Sequence, residues 1–208
     1  MNTRIIIMAK EPRAGLAKTR LIPALGAEGA AKLAQRLLQN TLAQALAADL
    51  GPVELCITPD RNAPCWQPWA DDGRIELCQQ VSGDLGQRMA AAATRGLAQG
   101  TPVLLIGTDC PRLDSAQLRT MARALNTQDA CLCPVRDGGY ALLGLRRFAP
   151  ALFREIPWST DQVAELTRQR LRQLGWRWQE SAPLWDLDEP EDLALLHQHY
   201  PQLSGTPA

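Results

Sequence analysis

The chain has 208 residues, 46% of them hydrophobic, enough for one domain with a sizeable core and too apolar for a disordered segment. Lys and Arg together number 22, as do Asp and Glu, so no global basic excess favours nucleic acid and any cationic chemistry is local. No apolar run approaches the ~18 residues of a membrane span, and the stretch at 5–9 is too short and too quickly followed by charge for a secretory signal; a cytoplasmic protein is expected.

In chain order, an apolar β-rich run at 4–9 comes first and leads into KEPRAGLAKTRL, 10–21. That stretch carries Lys10, Arg13, Lys18 and Arg20 and is broken by Pro12 and Gly15. An Ala/Leu/Gln-rich segment at 28–50 has apolar residues at helical spacing. Strand-like runs at 53–58 and 74–78 follow, then VSGDLGQRM, 81–89, at the entry to a helix at 87–98. A strand at 102–107 delivers Asp109 before Pro111 turns the chain, and Asp114 or Ser115 can cap a helix at 115–125. Runs at 130–135 and 140–145 flank Gly138-Gly139, a tight turn between strands. Two helices complete the pattern: 159–174, with Ser159 or Thr160 as N-cap and Gly175 as stop, and 189–200. Residues 1–203 form a single domain in this reading, and 204–208 a loose tail. Strand–helix alternation predicts an α/β fold with a mainly parallel sheet. Ligands of such sheets bind beyond the carboxyl ends of the strands, which places the loops at 10–20, 107–112 and 136–139 on one rim.

The basic loop is not a P-loop. A G-x-x-x-x-G-K-[ST] motif aligned on Lys18 requires glycine where the chain has Pro12 and Ala17, so a cradle of backbone amides is lost. Side-chain charge remains: Lys10 and Lys18 as point charges and Arg20 as a fork-shaped donor suit a polyphosphate. Asp109 at a strand end suits a hard cation such as Mg²⁺, since Asp114 and Ser115 are on hand to cap the next helix. In LWDLDEPEDL, 184–193, strand alternation sends Asp186 and Asp188 to the same side, while Asp188 and Glu191 also have capping-box spacing. Gly83 and Gly86 let backbone approach a flat base, and the helix that follows offers its N-terminus to an anion; Asp84 alternatively caps that helix. Trp158 either walls a pocket or packs as a staple beside the helix start.

Other chemistries lack their parts. No G-x-S-x-G elbow occurs, and the two histidines, His197 and His199, share the last helix, so Ser-His-Asp and Cys-His schemes are unsupported. The six cysteines include no C-x-x-C pair; Cys131 and Cys133 alternate on one strand face and read as buried thiols, not a zinc site. Cys110 adjoins Asp109, whose charge would raise the thiol pKa and not activate it.

KEPRAGLAKTRL resembles the first loop of the nucleotide-diphospho-sugar transferase superfamily, the glycosyltransferase-A fold. It is similar in particular to the K-P…K-[ST]-R-L loops of phospholactate guanylyltransferases and sugar-acid cytidylyltransferases. From Lys10 to Leu193 the chain resembles the bacterial radical-SAM/selenodomain-associated transferase family. The resemblance implies a Rossmann-like three-layer α/β/α sandwich. It implies that Lys10, Gly15, Lys18 and Arg20 grip a triphosphate, and that Gly83, Asp84, Gly86 and Arg88 contact the base or its phosphates. It further implies that Asp109 binds Mg²⁺ or Mn²⁺, joined by Asp188, with Asp186 as alternate, from a D-x-D motif in which Glu189 stands where Thr is common. Asp137, Gly138, Gly139 and Tyr140, with Trp158, Ser159 and Thr160, would face the acceptor.

The implied reaction is metal-dependent attack by a small phosphorylated or oxygen acceptor on the α-phosphorus of a nucleoside triphosphate. Asp109 would act through its metal, and Lys18 and Arg20 would stabilise the departing pyrophosphate. A glycosyltransferase using a nucleotide-sugar, with Asp137 as base, is the alternative; a non-catalytic nucleotide-binding module is the second. The expected partners are the nucleotide and a small-molecule acceptor, with no nucleic acid and no membrane, and a homodimer as the assembly to consider.

Overall fold

In β1 (Arg4–Lys10), Ile5 and Ile7 point to one face of a sheet and Ile6 to the other, and all three are fully buried. A strand apolar on both sides needs a layer of helices over each face. The computed structural model, which describes residues 2–205, has both layers. After β1 come α1 (Ile22–Ala48), β2 (Val53–Thr58), α2 (Gln67–Ala70), β3 (Ile75–Gln79), α3 (Leu85–Leu97), β4 (Val103–Ile106) and α4 (Ser115–Ala124). The chain continues with β5 (Ala130–Pro134), β6 (Tyr140–Leu145), α5 (Val163–Gln173), β7 (Trp178–Glu180), α6 (Asp192–His199) and α7 (Pro201–Ser204). The strands make one sheet in the order β3-β2-β1-β4-β6-β5-β7. Among the described strands only β6 runs antiparallel to its neighbours, β4 and β5; the other pairs are parallel.

Leu38 and Leu42 of α1 and Leu118 and Met121 of α4 cover Ile5, Ile7 and Leu55 on one face. On the other, Met89 and Ala93 of α3 and Leu171 of α5 cover Ile6, Val103 and Leu105. This is the expected three-layer sandwich. A third apolar cluster joins Leu33 and Leu37 of α1 to Trp185, Leu187, Leu196 and Leu203, which pins the segment before α6 against the first helix. No helix among the described residues is long and apolar enough to cross a membrane.

Several boundaries differ from the sequence reading. α1 begins at Ile22, because Pro23 fits the first turn of a helix, and is interrupted at Gly26. α3 begins at Leu85 with Asp84 as cap, and α5 begins at Val163 rather than 159. Ser159 does not cap α5: it is left-handed at φ 66, and the Thr160 hydroxyl turns back to donate to the Pro157 carbonyl at 2.7 Å. Gly175, at φ 64, stops α5 as expected. β7 is a strand that the sequence reading lacked. Ser204 belongs to α7, held by Arg36 donating to the carbonyls of Leu203 and Ser204, while 206–208 of the expected tail lie outside the described residues.

Candidate active site

β2 and β3 lie on one side of β1, and β4 with the remaining strands on the other. The winding therefore reverses between β1 and β4, where the loops beyond the strand ends diverge and leave a crevice. A cavity of about 650 Å³ opens there. Met8 and Lys10 line it from β1, Ile106, Gly107, Thr108 and Asp109 from the end of β4, and Asp186 and Asp188 from the chain before α6.

The basic loop is folded so that its lysine turns inward. The Arg13 carbonyl accepts the N–H groups of Leu16 and Ala17, each at 3.0 Å, closing a turn that Gly15 permits at φ 76. Ala17 and Leu21 are buried on either side, and Lys18 sits between them in the left-handed region at φ 48. Only 6% of the Lys18 side chain is exposed. Its ammonium lies 2.9 Å from Asp109 Oδ1 and 3.8 Å from Asp188 Oδ1, and it donates to the Leu187 carbonyl. Arg20 Nη1 lies 2.5 Å from Asp188 Oδ2 and 3.1 Å from Glu189 Oε1. Three stretches far apart in sequence thus meet around one buried cation.

The carboxylates are available for this because local capping is done by others. Asp114 caps α4, accepting the Gln117 N–H at 2.8 Å, which leaves Asp109 to the cavity. The Asp188–Glu191 capping box, the alternative their spacing allowed, does not form: the Asp192 carboxylate accepts the N–H groups of Asp188 and Glu189, at 2.9 and 2.8 Å. Asp186 and Asp188 both line the cavity, and Leu187 between them is fully buried, as strand alternation requires. Burial, and then the nearby Asp137 carboxylate, raises Asp186 to about 6 from an ordinary 3.8. The Cys110 thiol is pushed up to about 12, mainly by burial; the neighbouring charge that adds to this is Asp186, not the expected Asp109.

Asp137 accepts the Gly139 N–H at 2.8 Å in the turn between β5 and β6. Tyr140, Trp158, Ser159, Thr160 and Asp161 line the same cavity. The Tyr140 hydroxyl is buried beside Thr167, and burial raises it above the usual phenol range. The tyrosine therefore presents its ring to the cavity.

Five expected nucleotide contacts, Gly15, Gly83, Asp84, Gly86 and Arg88, and the expected acceptor contact Gly138 do not line the cavity. Asp84 and Gln87 form a capping box, and Arg88 Nε donates to the Gly83 carbonyl at 2.9 Å. Gly86 is buried against Trp158, where a Cβ would stand 2.6 Å from Nε1. α3 instead brings Leu85 and Met89 to the cavity. Sequence reasoning missed these two, together with Thr108 and Asp161. Leu85, apolar between two glycines at a helix entry, was the available signal.

The Lys18 ammonium itself lies against both Asp109 and Asp188. Among the described residues no group of three or more His, Cys, Asp or Glu side chains surrounds a metal position. Two carboxylates suit Mg²⁺, which is usually held by one or two carboxylates plus phosphates and water. The donor set fits that ion.

The profile of a family described as an uncharacterized protein conserved in bacteria, DUF2064, matches residues 41–160. The chain belongs to the DUF2064 family. The match includes Asp109 and Asp137 but not the basic loop or Asp186 and Asp188, so most of the charged centre of this DUF2064 protein lies outside the family profile. No curated protein matches the chain. Among solved structures, a protein of Desulfovibrio desulfuricans G20, provisionally described as a nucleotide-diphospho-sugar transferase, is 28% identical with a TM-score of 0.87, over 95% of this chain and 87% of its own. A nucleotidyl transferase from Methanothermobacter thermautotroptrophicus is 17% identical with a TM-score of 0.65, over 97% and 98% of the two chains. CMP:2-keto-3-deoxy-manno-octonic acid synthetase, complexed with CTP, is 13% identical with a TM-score of 0.62, over 97% and 99%. The DUF2064 chain has the fold of the nucleotide-diphospho-sugar transferase superfamily.

Proposed function

We propose that this protein is a metal-dependent transferase that uses a nucleoside triphosphate, moving the nucleotidyl group to a small acceptor and releasing pyrophosphate. The observation that carries the reading is the meeting of Lys18 and Arg20 with Asp109 and Asp188 at the mouth of one cavity, at the point where the sheet reverses. Nucleotide-using neighbours on the same fold support it.

Asp109 and Asp188, with Asp186 behind them, would hold Mg²⁺ or Mn²⁺. That ion supplies positive charge to the α-phosphate when bound. Lys18 exchanges its carboxylate partners for phosphate oxygens as the donor enters, and Arg20 holds the leaving pyrophosphate. Lys10 at the end of β1 adds a third positive charge. Leu85 and Met89 offer an apolar surface for the base. Fixed charge and positioning carry the rate, as expected where the protein forms no covalent bond to the substrate.

Thermal shift with nucleoside triphosphates and nucleotide-sugars, with and without Mg²⁺, tests this. A triphosphate at 100-fold excess over its Kd contributes about 2.7 kcal/mol, a rise of roughly 5–10 °C for a domain of this size. The rise should vanish in Asp109→Ala and shrink in Lys18→Ala and Arg20→Ala. Unchanged triphosphate affinity in both loop variants would remove the loop from the site. Glycosyl transfer from a nucleotide-sugar is the second reading, favoured by the description of the Desulfovibrio neighbour. A response to nucleotide-sugars alone would select it.

A further inference from the structure

The cavity is divided by charge. Its lining cations, Lys10, Lys18 and Arg20, all come from β1 and the loop that follows it. Asp109 and Asp188 lie against two of them; elsewhere in the lining stand Asp137 and Asp161 with Tyr140 and Trp158, and among the described residues no further Lys, Arg or His lines the cavity.

That stretch of the lining is assembled by backbone contacts, so its acidity is built in. Val135 bridges to Leu184, and the Arg136 N–H donates to the Leu184 carbonyl at 3.2 Å, which holds the turn carrying Asp137 beside the segment carrying Asp186. The Ala164 N–H donates to the Gly138 carbonyl at 2.8 Å. Gly138, at φ 90, approaches Asp161 so closely that a Cβ would stand 2.1 Å from the Asp161 carbonyl oxygen. Trp158 is wedged against Gly86 of α3.

We propose that the acceptor is an uncharged polyhydroxy compound, a carbohydrate or polyol, that attacks through a hydroxyl and carries no phosphate. Carboxylates accept hydrogen bonds from hydroxyls, and aromatic faces cover the C–H surface of such compounds. A phosphate dianion beside Asp137 and Asp161 would face like charges, with no lining Lys or Arg on that stretch to pair with. In the transfer, the hydroxyl oxygen bonds to the α-phosphorus as the bond from that phosphorus to the pyrophosphate oxygen breaks. The hydroxyl proton passes to Asp137 or Asp161, and pyrophosphate leaves with the bond's electron pair. This assignment rests on the nucleotidyltransferase reading and narrows its acceptor from phosphorylated or oxygen compounds to the neutral class.

Saturation-transfer NMR on the full chain tests it with matched pairs: glucose and glucose 6-phosphate, ribose and ribose 5-phosphate, glycerol and glycerol 3-phosphate. Neutral members should bind at least about tenfold more tightly than their esters, and the ratio should fall towards one in Asp137→Asn/Asp161→Asn. An ester that binds as tightly as its parent to the unmodified protein overturns the proposal, and so does the failure of every neutral member to bind. The unmodified comparison decides even where the double variant does not fold. Triphosphate-induced thermal shifts on the same samples separate the two readings. A triphosphate response with no neutral binding sinks the acceptor assignment alone; neutral binding with no nucleotide response supports the neutral ligand class and sinks the donor reading.

Discussion

Leu187 is the residue on which the charged centre turns. Its side chain is fully buried against α1, its N–H donates to the Asp109 carbonyl at 2.8 Å, and its own carbonyl accepts from Lys18. Burying Leu187 forces Asp186 and Asp188 to the cavity, and of the two Asp186 lies deeper. Its carboxyl titrates near 3.8 in an unfolded chain and at about 6 in the folded protein. Between those values the folded state binds more protons, so Asp186 lowers stability as pH rises through that window. Below it both states are protonated and the penalty is absent; above it the penalty is complete. Asp186→Asn should therefore be more stable than the unmodified protein at pH 7, by about 1 kcal/mol after solvent screening of a half-buried group. The gap should close towards pH 4, and urea unfolding across this range measures it. A gap independent of pH would show that Asp186 titrates normally. The shared side of Asp186 and Asp188 was legible in the sequence, since alternation is local. The commitment of Lys18 to carboxylates was not, because its partners come from β4 and from the segment before α6.

At the scale of elements, the turn between β5 and β6 connects the two strands and also places the acidic stretch of the cavity lining. Its two glycines are not equivalent. Gly138 is at positive φ and has no room for a Cβ against the Asp161 backbone, whereas a Cβ on Gly139 would meet only side-chain atoms, the Asp137 carboxylate at 3.2 Å and Val135 Cγ2 at 3.5 Å. Gly138→Ala should cost about 2 kcal/mol or more through strain and displacement of Asp161, while Gly139→Ala should cost less than about 1 kcal/mol. Gly138→Ala should also weaken neutral-ligand binding and leave triphosphate binding in place, because the turn touches only the acceptor side. Chemical denaturation and the two binding assays separate these effects; equal losses from both glycines would contradict the close approach. The turn itself was readable from the sequence, as were the cap at Asp114 and the stop at Gly175, because each follows from local backbone preferences. The start of α5 and the existence of β7 were not. Ser159 takes a left-handed turn, and β7 is three residues long and defined by pairing with β5, choices made by tertiary contacts.

Across the whole molecule, the two ends of the sheet use charge in opposite ways. The carboxyl ends of the strands leave ionic groups open to a cavity. Towards the amino ends, Glu54 is 1% exposed, lies 3.5 Å from Arg4 Nη1 and accepts from Arg95 of α3, while Arg4 also reaches Glu76 at 2.5 Å. The layered fold was legible because β1 is apolar on both faces; this cluster was not, because Arg4, Glu54 and Arg95 are brought together only by the order of β1, β2 and β3 and the packing of α3. Breaking a buried pair by removing one partner leaves a desolvated charge, whereas replacing both with apolar groups does not. Glu54→Gln should therefore destabilise the protein by about 3 kcal/mol, near the lower end of the usual range because Arg4 keeps Glu76. Glu54→Leu combined with Arg95→Met should cost less than Glu54→Gln alone. Since the cluster lies at the opposite end of the strands from the cavity, the thermal shift given by a triphosphate should survive in both variants. Urea unfolding orders the three proteins. A double variant less stable than Glu54→Gln would mean that the ion pair contributes to the fold beyond neutralising its own burial.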